Sequence, residues 1–87
     1  MNYYIIFAGS DLAVYLERLK ELREDRDLSQ TEVAKILGIN QVTYSQYERG
    51  ARELHIDQFK SLCQLYNVSA DYILGFIDEY KPLPENK

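Results

Sequence analysis

The stretch from Gln30 to Tyr47, QTEVAKILGINQVTYSQY, decides the fold, because it carries the marks of two short helices meeting at a tight turn. Val33, Ile36, Leu37, Tyr44 and Tyr47 recur at helical spacing and supply apolar contacts. Ala34 is small and sits where the two helices would cross. Gly38 follows the last apolar residue of the first helix. There the chain turns through positive φ, which glycine does without steric cost. Asn40 stands where the second helix needs a side chain to cap its free amides. Upstream, Ser29 and Glu32 form an S-x-x-E capping box, and Leu28 and Val33 hold the positions of a hydrophobic staple.

Working outward, the rest of the chain also reads mainly as helix. Ser10 is placed to cap a helix from Asp11 to about Arg26, with Leu12, Leu16, Leu19 and Leu22 on one face. After Gly50, ARELH is a connection. A fourth helix over 56–66 is expected to bury Ile56, Phe59, Leu62, Cys63 and Tyr66. Ser69 then caps a short fifth helix carrying Tyr72, Ile73 and Phe76. Residues 1–9, β-branched and aromatic and ending at Gly9, read as a strand-like N-terminal arm. Residues 10–77 form the domain. Residues 78–87, with two prolines and several charges, are expected to be a flexible tail.

The 87 residues give one domain with room for one modest core. No apolar run approaches membrane-spanning length, and YYIIFA is too short and lacks the basic flank of a secretory leader. Cys63 is the only cysteine, so no disulfide forms within the chain, and a reducing cytoplasm fits best. The net charge is −4. It is unevenly spread: residues 1–27 hold 4 basic and 6 acidic groups, 28–60 hold 4 and 4, and 61–87 hold 2 and 4. The acidity lies outside the central helix pair, which keeps Arg49, Arg52 and Lys60. That balance predicts weak non-specific affinity of a monomer for nucleic acid without excluding it.

On a wheel at about 100° per residue, Gln41, Val42, Ser45, Gln46 and Arg49 share an arc of roughly 140°. Thr43, Tyr44, Tyr47 and Glu48 fill the other side. A helix that buries the two rings must turn its amides, hydroxyl and guanidinium outward. Such a face is either simply solvated or set against DNA; the turn and caps favour the second, as in a helix-turn-helix. Glutamine can bond adenine N6 and N7, and valine can pack on a thymine methyl. Gln30 would lie beside Gln41, bracing it and bonding a phosphate. Arg49 and Arg52 suit phosphate.

From Leu19 to Gly75 the chain resembles the phage-repressor and Cro-like (xenobiotic-response-element) helix-turn-helix family. The resemblance rests on LKELREDRDLSQTEVAKILGINQVTYSQYERG at 19–50 and IDQFKSLCQLYNVSADYILG at 56–75. It implies an all-α, compact five-helix, lambda-repressor-like domain that binds double-stranded operator DNA as a homodimer. It implies base contacts from Asn40, Gln41, Val42, Thr43 and Gln46, and backbone contacts from Gln30, Ser45, Arg49 and Arg52. It also implies a structural salt bridge between Arg23 and Glu48. Leu54 and His55 stand where the family commonly has proline and serine, and His55 is placed near a phosphate. The family's regulators with a full regulatory cycle carry a C-terminal sensing or dimerisation domain. This chain is therefore expected to be a small stand-alone regulator or the DNA-binding part of a longer one.

Other functions find little support. One histidine and one cysteine make no metal site, no cofactor motif is present, and no oxyanion hole or triad accompanies Cys63 and His55, so no enzyme is expected. Cys63 reads as a small core residue. Tyr3, Tyr4 and Tyr80 fit no core position. With Ile5, Ile6 and Phe7, Tyr3 and Tyr4 would pair across a two-fold axis with a second copy, pack on Phe76 and Ile77, or form a disordered leader. The alternative function is a protein-interaction module, such as an antitoxin-like regulator that binds a partner protein.

Overall fold

Both central helix starts are set by side chains acting on backbone amides, and the turn between them by a glycine. In a computed structural model, residues 3–84 are described, with side chains described from Val14 onward. The helices are α1 (Tyr3–Asp25), α2 (Gln30–Leu37), α3 (Gln41–Arg49), α4 (Ile56–Tyr66) and α5 (Ala70–Leu74), with no strand among the described residues. Ser29 Oγ accepts from Glu32 N at 3.0 Å while Glu32 Oε1 accepts from Ser29 N at 2.8 Å, a complete capping box. Gly38 closes α2 at φ +74°, and Asn40 Oδ1 accepts from Thr43 N at 2.8 Å to open α3. The α2–α3 connection is thereby fixed at both ends.

The core draws on every helix. Leu19 of α1, Val33 of α2, Tyr44 of α3, Leu62 and Tyr66 of α4, and Ile73 of α5 are fully buried. Each aliphatic side chain there contributes about 1.5–3 kcal/mol by leaving water. Ala34 is buried in the same cluster, as its size predicts for a close crossing. Cys63 is buried too, and burial pushes its thiol above the usual range, so it packs as an apolar group.

Several expectations need correction. Residues 3–9 are helical, not a strand-like arm, so Ser10 lies inside α1 instead of capping it. A lone strand would leave its backbone groups without partners, whereas a helix satisfies them within the segment. Contacts of the Tyr3–Phe7 side chains lie outside the described residues. Ile36 is 55% exposed, because Val33, Ala34 and Leu37 define the inward stripe of α2 and Ile36 falls about 60° beyond its edge. Ile56 is 76% exposed: as the first residue of α4, its Cβ tilts toward the helix start and away from the core. Phe76 follows the left-handed Gly75, which turns the chain off the α5 face and leaves the ring 75% exposed.

The segment expected to be a flexible tail is held to the domain at Tyr80 and Lys81. Ser69 N donates to Lys81 O at 2.7 Å, and Tyr80 Oη donates to Asn67 O at 2.7 Å. The Tyr80 ring also meets Tyr72 edge-on at 6.0 Å. Residues 85–87 lie outside the described residues. Arg18 ties α1 to the same region, donating to the carbonyls of Tyr72 and Ile77 and lying 4.3 Å over the Tyr72 ring.

Two glycines are needed for different reasons. Gly38 requires only its positive φ, since a Cβ there would meet nothing within 4 Å. Gly50, at φ +75°, would also drive a Cβ to 2.9 Å from Leu16 Cδ1. Gly38→Ala is therefore expected to cost about 1–2 kcal/mol of backbone strain. At Gly50→Ala the flexible end of Leu16 can give way, so a similar loss from backbone strain is expected. Urea unfolding of the two variants checks this, and an unchanged midpoint in either would contradict it.

Candidate nucleic-acid interface

The α3 helix divides into an apolar side and a polar side. Tyr44 and Tyr47 are 1% and 5% exposed and anchor the helix against the core. Gln41 and Arg49 are exposed, Val42 is 62% exposed, and Ser45, Gln46 and Thr43 are partly exposed. Asn40 is exposed as well, although its Oδ1 is committed to capping, which leaves its amide N–H groups outward. The polar side is thus an open surface composed of Gln41, Val42, Ser45, Gln46 and Arg49.

A charged network lies behind that surface. Arg23 Nε donates to Glu48 Oε2 at 2.6 Å, and Arg23 Nη2 donates to Oε1 at 3.1 Å, a bidentate pair joining α1 to α3. Tyr44 Oη donates to Glu48 Oε2 at 2.6 Å. Gln30 Nε2 donates to Glu48 Oε1 at 3.2 Å. The Gln30 amide oxygen then accepts from Gln41 Nε2 at 2.8 Å. The Glu48 side chain is only 4% exposed. Burial pushes its carboxyl upward, but the bonds from Arg23, Tyr44 and Gln30, with the Arg23 charge, outweigh burial and hold it below the usual carboxylate range. Burial chiefly, then the bond to Glu48, raises the Tyr44 phenol, which therefore stays a donor.

The basic residues are arranged at the other end of α3. Arg49 Nε lies 3.5 Å from Ser45 Oγ. Arg52 Nε donates to Gln46 Oε1 at 3.0 Å. His55 occupies the N-cap position of α4 with no capping bond from its side chain. Beside this connection an open groove of about 590 Å³ is lined by Tyr15, Tyr47, Leu54, Ile56 and Phe59. No group of metal-ligating side chains occurs among the described residues. Nor is any helix there long and apolar enough to cross a membrane.

A family model described as helix-turn-helix matches residues 19–73, from the middle of α1 into α5. The chain belongs to the phage-repressor and Cro-like helix-turn-helix family. Among helix-turn-helix proteins it is similar to the transcriptional regulators YobD and ImmR of Bacillus subtilis. Identity is 36% over 74 residues with YobD, covering 85% of this chain and 66% of YobD. It is 44% over 59 residues with ImmR, covering 68% and 46%. It is 37% over 59 residues with the antitoxin PezA of Streptococcus pneumoniae, covering 68% and 37%. The chain thus spans from about one third to just under two thirds of the length of these relatives. No solved structure matches it significantly.

Gln30 braces Gln41 in this helix-turn-helix domain, as the sequence reading expects, but two other contacts escaped that reading. Gln30 also donates to Glu48, which links the buried ion pair to the polar face, and Arg52 grips Gln46. Both are amide contacts set by side-chain rotamers, which residue spacing does not encode. The signal that was available is the co-occurrence of an inward carboxylate at 48 with glutamines at 30 and 41.

Replacing Glu48 by alanine strands the Arg23 guanidinium and the Tyr44 hydroxyl together. A loss of about 3 kcal/mol is expected at neutral pH, the low end for breaking a buried pair. Glu48 titrates below its unfolded value of about 4.3, so its contribution is complete above that pH and is lost as pH falls through the depressed folded value. Glu48→Gln should therefore flatten the acid limb of the stability–pH curve measured by thermal melting. A limb as steep as wild type would contradict the assignment.

Proposed function

We propose that this protein is a sequence-specific transcriptional regulator, a repressor, that binds a palindromic operator as a homodimer with α3 in the major groove. The observation that carries this reading is the α3 surface: two buried tyrosines fix the helix, and its outward side offers donors and acceptors suited to base edges. Membership of the helix-turn-helix family and likeness to transcriptional regulators support it. Gln41, Val42 and Gln46 read bases, with Asn40 and Thr43 at the edge of the contact. Gln30, Ser45, Arg49 and Arg52 meet the backbone.

Repression needs only occupancy of a promoter, which a DNA-binding domain supplies by itself. Half-sites would lie about one helical turn apart, roughly 34 Å. With a net charge of −4, little affinity comes from counterion release by a monomer. Two copies on one site make up that deficit. The similarity to PezA, named an antitoxin, supports a second reading in which the fold also holds a partner protein.

Selection of bound sequences from random duplexes tests the proposal, and an inverted repeat is expected. Gln41→Ala should lose about 1–3 kcal/mol of discrimination at one base. Arg49→Ala should weaken all sequences alike and lower the salt slope by about one. Enrichment of no sequence, or co-purification of a second protein with no DNA affinity, would favour the partner-binding reading.

A further inference from the structure

We propose that Arg52 sets base specificity through Gln46: it holds the amide oxygen, so that Gln46 turns its N–H groups to the groove and prefers guanine over adenine at its position. This inference rests on α3 lying in the major groove. A glutamine amide can point either way, and its partners decide which. A guanidinium only donates and a carboxylate only accepts.

The two glutamines of the reading face are anchored by groups of opposite kind. Glu48 accepts from Gln30 Nε2 at 3.2 Å, which turns the Gln30 oxygen toward Gln41 and draws Gln41 Nε2 to it at 2.8 Å. Gln41 is left with its oxygen and one N–H, the complement of adenine N6 and N7. Arg52 instead donates Nε to Gln46 Oε1 at 3.0 Å, and both N–H groups of Gln46 Nε2 stay unbound among the described residues. Guanine presents two acceptors, N7 and O6, on the same edge. Reversing the Gln46 amide would set N–H against the guanidinium and lose a charge-assisted bond.

Local backbone geometry delivers Arg52 to this place. Gly50 ends α3 in the left-handed region, and the N–H groups of Ala51 and Arg52 then both reach Gln46 O, at 2.9 and 3.3 Å. Arg52 is thus tied to Gln46 through main chain and side chain together. Its Nη groups make no bond within the described residues and can still meet a phosphate. Arg52 is a positioning residue for base readout as well as a backbone contact.

The test is selection of bound duplexes at one fixed salt concentration by wild type, Arg52→Lys, Arg52→Ala and Gln46→Glu, with thermal melting to verify folding. Gln46→Glu identifies the position: an acceptor-only side chain there should move its preference to cytosine. At that position wild type should favour guanine over adenine by about 5- to 150-fold. Arg52→Lys keeps the charge and a donor-only group, so it should keep the salt dependence and much of the guanine preference, whereas Arg52→Ala frees the amide to turn either way and the preference collapses toward unity. If Arg52→Ala weakens every sequence by a common factor and leaves base preferences unchanged, the proposal is overturned. If wild type enriches no sequence, the major-groove reading itself fails, which is a distinct result.

Discussion

The Glu48 carboxylate is the group on which the arrangement of the first three helices depends. Removing a carboxylate from water costs several kcal/mol unless its lone pairs are occupied. Here Arg23 from α1, Gln30 from α2 and Tyr44 from α3 itself occupy them. Desolvation makes each bond stronger than it would be at the surface, and it also makes loss of any one partner expensive. The ion pair is therefore less a source of raw stability than a geometric constraint. It fixes the rotation of α3 about its axis, with the tyrosines inward and the glutamines outward.

The same constraint reaches the surface. Because Glu48 can only accept, it orients Gln30, and Gln30 in turn orients Gln41. On the proposed reading of Gln41 as a base contact, its side chain is held in one rotamer before the duplex arrives, which lowers the ordering cost of binding. The acidic balance of the chain fits such a device. On the proposed reading, a protein with little long-range attraction for DNA relies on preorganised local contacts.

Elements whose boundaries are written in caps were legible in the sequence. Ser29 with Glu32, Asn40 and Ser69 each act through a short-range bond between a side chain and nearby amides, and Gly38 acts through its left-handed φ, so local residue types suffice. Burial by helical period succeeded for Tyr44, Tyr47, Leu62 and Tyr66 and failed for Ile36 and Ile56. The failures sit at stripe edges and helix ends, where the direction of Cβ outweighs the period. The N-terminal segment was misread because β-branched and aromatic residues suggest a strand, while the choice rests on whether a pairing partner exists. The anchoring of Tyr80 and Lys81 depends on long-range bonds to Asn67 and Ser69 that no local pattern announces.

The most direct test follows the side-chain amide resonances of isotopically labelled protein as a duplex obtained by selection is added. If the polar side of α3 is the reading face, the Gln41 and Gln46 amide signals shift at stoichiometric DNA, while the buried Tyr66 and Ile73 positions stay nearly still. Largest shifts on α4 and α5, with Gln41 and Gln46 unmoved, would place the duplex elsewhere and contradict this account.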